Sequence, residues 1–173
     1  MVAVRRKNID MVNLFLQYNV NTEFRGDFQA TPLIWASAHG QSNIVEKLLN
    51  HMADINAKSS RNGGTPIHYA AASGHIQTMK MLKSRGSPLD HMTNQGYTPL
   101  HSAAWFGTQN AAQWLVSQGA DLKAVTNMGE SVVDIADSRS HKELKEWLRS
   151  CEVDLPAMLL QLRIPGSNAT SEQ

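Results

Sequence analysis

The chain has 173 residues, 42% of them apolar, and its 16 Lys and Arg against 15 Asp and Glu leave a net charge of +1. This composition excludes a disordered polyelectrolyte, and the near balance of charge supplies no global field for nucleic acid or an anionic membrane. Cys151 is the only cysteine, so there is neither an internal disulfide nor a cysteine cluster for zinc. No run reaches the roughly 18 apolar residues that cross a bilayer, and the opening MVAVRRKNID lacks the apolar core of a secretory leader. The expected location is therefore cytoplasmic, nuclear or both, with the sequon at Asn168 inert.

One motif recurs along the chain. Thr31-Pro32-Leu33, Thr65-Pro66-Ile67-His68, Thr98-Pro99-Leu100-His101 and a degraded Ser131-Val132-Val133-Asp134 start 34, 33 and 33 residues apart. Thr before Pro is an N-cap followed by the one helical position that tolerates proline, so each motif opens a helix. Gly40, Gly74 and Gly107 close it about two turns later, because the residue past a helix end favours the left-handed region. A second helix follows, ending at Gly86 and Gly119 in two units. Asn19 and Met52 hold that place in two others, and the cost of a left-handed methionine predicts a looser turn at Met52. Stretches such as Asn94-Gln95-Gly96-Tyr97 and Asn127-Met128-Gly129-Glu130 are turn formers expected to protrude as hairpin-like fingers. Helices of two turns are unstable alone and must stack on their neighbours, which the small side chains of Ala36, Ala70, Ala103 and Ala136 allow.

These residues resemble the ankyrin repeat over nearly all of residues 1 to 150. The resemblance implies an all-α solenoid of stacked helix-turn-helix units with hairpin-like fingers. In chain order it gives a partial unit at 1–30, full units at 31–64, 65–97 and 98–130, and a capping unit at 131–150. The cap is legible because Ser131, Val132 and Ser140 replace Thr, Pro and Gly and its second helix, HKELKEWLRS, is heavily charged. At the other end Met1 aligns with His68 and His101, so the first unit lacks its Thr-Pro-Leu opening. An array cut from a longer one explains this better than a frayed half-cap. Residues 151–173 form a tail in which Leu155, Met158, Leu159 and Leu162 fall at helical spacing, predicting a short helix at 155–163 that covers the last repeat or docks on a partner.

Catalysis finds little support. His68 and His101 share a repeat position and should lie about 10 Å apart, too far to share an ion; in the family this histidine is structural. Cys151 and His141 are nearly three helical turns apart, and there is no nucleophile elbow, phosphate loop or zinc-protease motif. Neither enzyme activity, metal nor cofactor is expected.

By the resemblance, the function is protein recognition: an adaptor or scaffold module that holds a protein or peptide on its concave surface of inner helices and fingers. Trp105 and Phe106 stand where other units carry Ala38-His39, Ala72-Ser73 and Ser138-Arg139. Trp35, Tyr69 and Tyr97, with finger residues Phe28 and Met128, fall on the same side and complete the expected contact set, since such side chains dominate binding hot spots. Alternatively, Trp35 and Tyr69 fold back between fingers and helices. Trp114 and Trp147 share a position in the second helices and read as packing, while Arg5-Arg6-Lys7 reads as a solvated helix end. A regulatory or targeting segment of a larger enzyme, channel or ligase subunit is the other functional reading. Leu48 eight residues before Asn56, within Asp54-Ile55-Asn56, matches the preference of the asparaginyl hydroxylase that modifies proteins resembling this one, making Asn56 a candidate for hydroxylation.

Overall fold

The computed structural model describes residues 1–26 and 29–161, with 153–161 described as backbone only. Ten helices occupy these residues: α1 Val2–Arg5, α2 Ile9–Gln17, α3 Pro32–Ala38, α4 Ser42–Asn50, α5 Pro66–Ala72, α6 Ile76–Ser84, α7 Pro99–Phe106, α8 Gln109–Ser117, α9 Val132–Ser138 and α10 Lys142–Gln161. The odd-numbered helices pack against one another in one row and α2, α4, α6 and α8 in a second, and each odd helix also packs on its even partner. This is the expected solenoid. No strand forms among the described residues; one isolated bridge pairs Val125 with Ser131.

The local rules act as the residues require. Thr31 Oγ1 accepts the Ile34 N–H at 3.3 Å, Thr98 Oγ1 the His101 N–H at 3.3 Å and Ser131 Oγ the Asp134 N–H at 3.2 Å, each satisfying a donor the first helical turn leaves open. Ala36, Ala70, Ala103 and Ala136 are fully buried at the meeting of successive inner helices, where any larger side chain would push the helices apart. The inner row packs more extensively than the outer row.

Two expectations need correction. Met52 does not loosen its turn: it takes φ +61°, and Met52 N–H to Leu49 C=O (3.1 Å) and Ala53 N–H to Leu48 C=O (3.0 Å) reproduce the bonds that follow α6 at Gly86 and Ser87. The chain must enter the next finger at this point, so the stack imposes the conformation and the methionine bears a strain of about 1 kcal/mol. Nor is the tail helix separate, since α10 continues unbroken to Gln161. The position where other units turn is held here by Glu152, a good helix former, and among the described residues no further finger follows to force a turn. Cys151, assigned to the tail, is buried in the core, and burial raises its thiol pKa. Residues 162 and 163 lie outside the described residues.

Candidate protein-interaction surface

The fingers are tied into a row by backbone hydrogen bonds. Within each, the chain closes on itself: Ser59 N–H to Gly64 C=O (2.9 Å), Thr93 N–H to Tyr97 C=O (2.9 Å) and Thr126 N–H to Glu130 C=O (3.0 Å). Between fingers, Ser60 N–H donates to Gln29 C=O, Asn94 N–H to Asn62 C=O and Asn127 N–H to Gln95 C=O at 3.2, 2.9 and 3.0 Å. Short turns that could not hold a shape alone thus form a continuous edge.

His68 anchors that edge to the helices. Thr65 N–H donates to His68 Nδ1 at 3.2 Å, so Nδ1 must be unprotonated, and Nε2–H donates to the Tyr97 carbonyl of the next finger at 3.0 Å. With one nitrogen an acceptor and the ring buried, a proton has no favourable site. Desolvation dominates, and the pKa falls to about 4. His101 repeats the contact with Thr98 N–H, and burial lowers its pKa as well. The structural role implied for both histidines by the resemblance is the one these bonds describe. Among the described residues no cluster of metal-ligating side chains occurs.

His75 and His141, which share a repeat position, pack over the glycine that ends the previous unit's inner helix. A Cβ on Gly107 would lie 2.5 Å from the His141 ring, and one on Gly40 2.7 Å from His75. Both glycines also have positive φ, so the sequence needs glycine there for space as well as conformation. His141 Nε2 reaches the Trp105 carbonyl at 3.2 Å and fixes the end of α7 where the two rings project.

The predicted contact residues fall into separate groups. Tyr97 lies edge-on to Trp105 (centroids 5.7 Å apart, 77°) and to His101 (5.9 Å, 66°), and Arg139 of the last unit covers the Trp105 ring with Cζ 3.1 Å from its centroid. One finger and two inner helices thus build a single cluster. Phe106, beside it in the chain, is 61% exposed. A second cluster forms where Trp35 stacks on His39 (4.4 Å, 19°) with Arg5 Cζ 5.2 Å from its ring. Tyr69 folds back: its hydroxyl donates to Asn62 Oδ1 at 3.0 Å, between finger and helix. Met128 is 84% exposed in the last finger, whereas Phe28 lies outside the described residues. No ring contact among the described residues joins the two clusters.

Arg5 and Arg139 as ring partners escaped the sequence reading, which aligns Arg139 with Phe106 and takes Arg5 as part of a solvated helix end. A finger position was also missed. Arg25, Lys58, Met92 and Val125 occupy equivalent places in successive fingers and are all exposed, so the edge changes from basic to apolar along the stack. Arg25 Nη1 donates to the Lys58 carbonyl at 2.5 Å, keeping its charge at the edge. Trp114 and Trp147 are half-buried against the core. Asn56 sits in the turn before the second finger, with its N–H bonded to Asp54 Oδ1 at 2.9 Å and its own Oδ1 buried without a hydrogen-bond partner in the described structure.

This geometry defines a class: a helix-pair repeat solenoid carrying an aromatic and cationic surface on its fingers and inner helices. The chain matches the family model for ankyrin repeats (3 copies) over residues 1–59 and 52–126, and it belongs to that family. It is 31% identical over 89 residues to an ankyrin repeat protein of Fowlpox virus (strain NVSL), covering 51% of this chain and 22% of the viral protein. It is 30% identical over 83 residues to Inversin of Danio rerio, covering 47% of this chain and 8% of that one. To transient receptor potential cation channel subfamily A member 1 of Homo sapiens it is 29% identical over 87 residues, 49% of this chain and 8% of the channel. The chain thus spans less than a quarter of each of these relatives. Ankyrin repeats are protein-interaction modules, and no described helix is long and apolar enough to cross a membrane.

Proposed function

We propose that this chain is an adaptor-type recognition module that holds a protein partner on the fingers and inner helices, with the Tyr97, Trp105 and Phe106 group as its anchor. The carrying observation is that the stack does not need these rings. The position of Trp105 is Ala38, Ala72 and Ser138 in other units, yet here a tryptophan is held between Tyr97 and Arg139 with Phe106 exposed beside it. Rigidly held aromatic groups next to an arginine are what binding hot spots are made of. Trp35, with His39 and Arg5, forms a second contact point, and Met92, Val125 and Met128 supply apolar finger tips. The partner strip is acidic toward Arg25 and Lys58 and apolar toward Met92 and Val125, which sets its direction along the stack.

The test is affinity capture with the wild-type chain and a Trp105→Ala/Phe106→Ala variant shown by circular dichroism to be equally folded. A protein retained by the first and lost by the second is the expected result, at a cost of about 2 kcal/mol or more for a true anchor. Identical capture by both sinks this placement. A second reading, a targeting segment of a larger channel or ligase subunit, rests on the small share of its relatives that the chain spans. Asn56 hydroxylation remains part of the proposal. The expected mark is one added oxygen on the peptide carrying Asn56 from cells, and an unmodified mass removes it.

A further inference from the structure

Arg139 stands just past the end of α9, one unit on from Phe106 at the same repeat position. Its Cζ lies 3.1 Å from the centroid of the Trp105 ring. A guanidinium set edge-on at that distance would drive a nitrogen, about 1.3 Å from Cζ, to within about 2 Å of the ring plane, so the group lies flat on the indole. Flat stacking directs every N–H bond sideways, away from the ring that holds the group. Those donors are open: Arg139 is exposed and makes no hydrogen bond or ion pair among the described residues. The carboxylates of the same segment are engaged elsewhere. Asp137 Oδ1 meets Lys145 Nζ at 2.6 Å, Asp134 Oδ2 accepts from Ser131 Oγ at 2.6 Å, and Glu130 Oε2 accepts from Thr126 Oγ1 at 3.3 Å.

The seat beneath the guanidinium is itself fixed, since Tyr97 lies edge-on to Trp105 and His141 Nε2 reaches its carbonyl. An arginine ordered before contact avoids the entropy that a free side chain loses on binding. Apolar side chains surround the approach to this end of the stack: Phe106 on α7, and Val125 and Met128 in the last finger, are all exposed. We propose that Arg139 is a carboxylate receptor, on which an Asp or Glu side chain of the bound partner pairs in bidentate fashion with the outward edge of the stacked guanidinium while an apolar side chain of the same segment covers Phe106. Planar carboxylate matches one edge of a guanidinium. A phosphate group carries about two charges and calls for a second cation, but the same position in the two preceding units is Phe106 and Ser73. Adjacent units lie about 10 Å apart, a distance that about three residues of extended chain span. The partner segment is therefore extended, with its acidic and apolar residues about three apart. This inference rests on the recognition reading and adds the chemistry of what is recognised.

The experiment follows Arg139 Nε–H and Trp105 Nε1–H by 15N NMR during titration with short peptides. The probes are tetrapeptides with leucine and glutamate at their ends and two glycines between, in both orders, acetylated and amidated so that the side chain is the only carboxylate. Each is paired with its glutamine counterpart. One glutamate peptide should shift both resonances saturably and bind about tenfold or more tighter than its counterpart. That preference should vanish in Arg139→Gln and weaken in Arg139→Lys, whose ammonium cannot stack and pair at once. Circular dichroism checks that both variants fold, as an exposed position allows. Equal binding of glutamate and glutamine peptides, lost in Trp105→Ala/Phe106→Ala, overturns the receptor and leaves the recognition surface standing. Binding of neither peptide, or a preference that survives Arg139→Gln, overturns it as well. A glutamine peptide with a free C-terminal carboxylate that matched the glutamate peptide would give Arg139 to a chain end and overturn its assignment to a side chain. The recognition reading fails separately, by identical capture in the test described above.

Discussion

The helix-opening motif is closed by a histidine in the middle of the stack and by an aspartate in the last unit, and the two do different work. Asp134 Oδ2 accepts from Ser131 N–H and Oγ at 2.9 and 2.6 Å, the local bonds that His68 makes to Thr65. His68 has a second nitrogen, and it spends that one on the Tyr97 carbonyl of the next finger. Asp134 has no next finger to reach among the described residues and stays exposed. Local helix capping needs only an acceptor; His68 supplies an acceptor and a donor on one rigid ring, as neutral imidazole can, whereas Ile34 holds this place in the preceding unit and the buried Nε2 of His101 has no hydrogen-bond partner among the described residues. The contrast between His68 and Asp134 is therefore one of coupling between units, not of helix formation.

The largest expected effect tests that coupling by pH. The folded pKa of His68, about 4, lies below the unfolded value near 6.5, so the unfolded chain binds the proton more readily. Stability from this group is complete above pH 6.5 and is lost as pH falls from 6.5 toward 4, by on the order of 3 kcal/mol, with His101 adding in the same direction. Urea midpoints across that range should fall accordingly, and a flat profile would mean the imidazoles are not held neutral. Hydrogen bonding from Ser131 depresses the pKa of Asp134, so its contribution is present above the ordinary aspartate value and disappears below it. Asp134→Asn should change the profile only below about pH 4.

Substitution sharpens the same contrast. His68→Ala should cost about 3 kcal/mol, since it strands the Thr65 N–H, removes the tie to the Tyr97 carbonyl, which keeps only its bond from Thr93 N–H, and leaves a cavity, and it should reduce the acid-linked loss. Asp134→Ala, an exposed cap, should cost about 1 kcal/mol. Equal losses would show that the second bond of His68 adds nothing. Gly107→Ala should destabilise by about 2 kcal/mol, because the new Cβ would lie against the His141 ring and φ is +68°. Ser140, at the equivalent place in the last unit, holds φ +64°. Ser140→Gly should therefore stabilise by up to about 1 kcal/mol, read as a small rise in the urea midpoint.

Much of this molecule follows from local chemistry alone. Thr-Pro pairs, the alanines between helices and the left-handed helix ends act within a few residues or at a fixed repeat distance, so the period, the helices, the capping unit and the structural histidines are legible without coordinates. Met52 was misread because a propensity was weighed there against nothing, whereas in the molecule the geometry of the next finger outweighs a strain of about 1 kcal/mol. The length of α10 was misread for the complementary reason, that the capping unit was ended at residue 150 although among the described residues no finger follows to interrupt the helix.

The candidate surface was legible as a set of positions and not as a set of contacts. Repeat register placed Trp35, Tyr69, Tyr97, Trp105 and Phe106 on one side, because side-chain direction in a stacked helix is fixed by its place in the period. Which rings pair, and with what, depends on rotamers and on neighbours 33 or more residues away: Arg139 over Trp105, Arg5 beside Trp35, Asn62 holding Tyr69. The exposure of Met11 and Phe15 on α2 is of the same kind. Every unit carries an apolar residue at the Phe15 position, while the Met11 position is Thr78 in one unit, and only the stack decides which of them find a neighbour. Sequence by itself determined the repeating unit, since each unit's helices and turns answer to forces that act over a few bonds. Tertiary structure alone decided which surfaces are closed and which are open, because burial is a property of the whole arrangement and not of any residue within it.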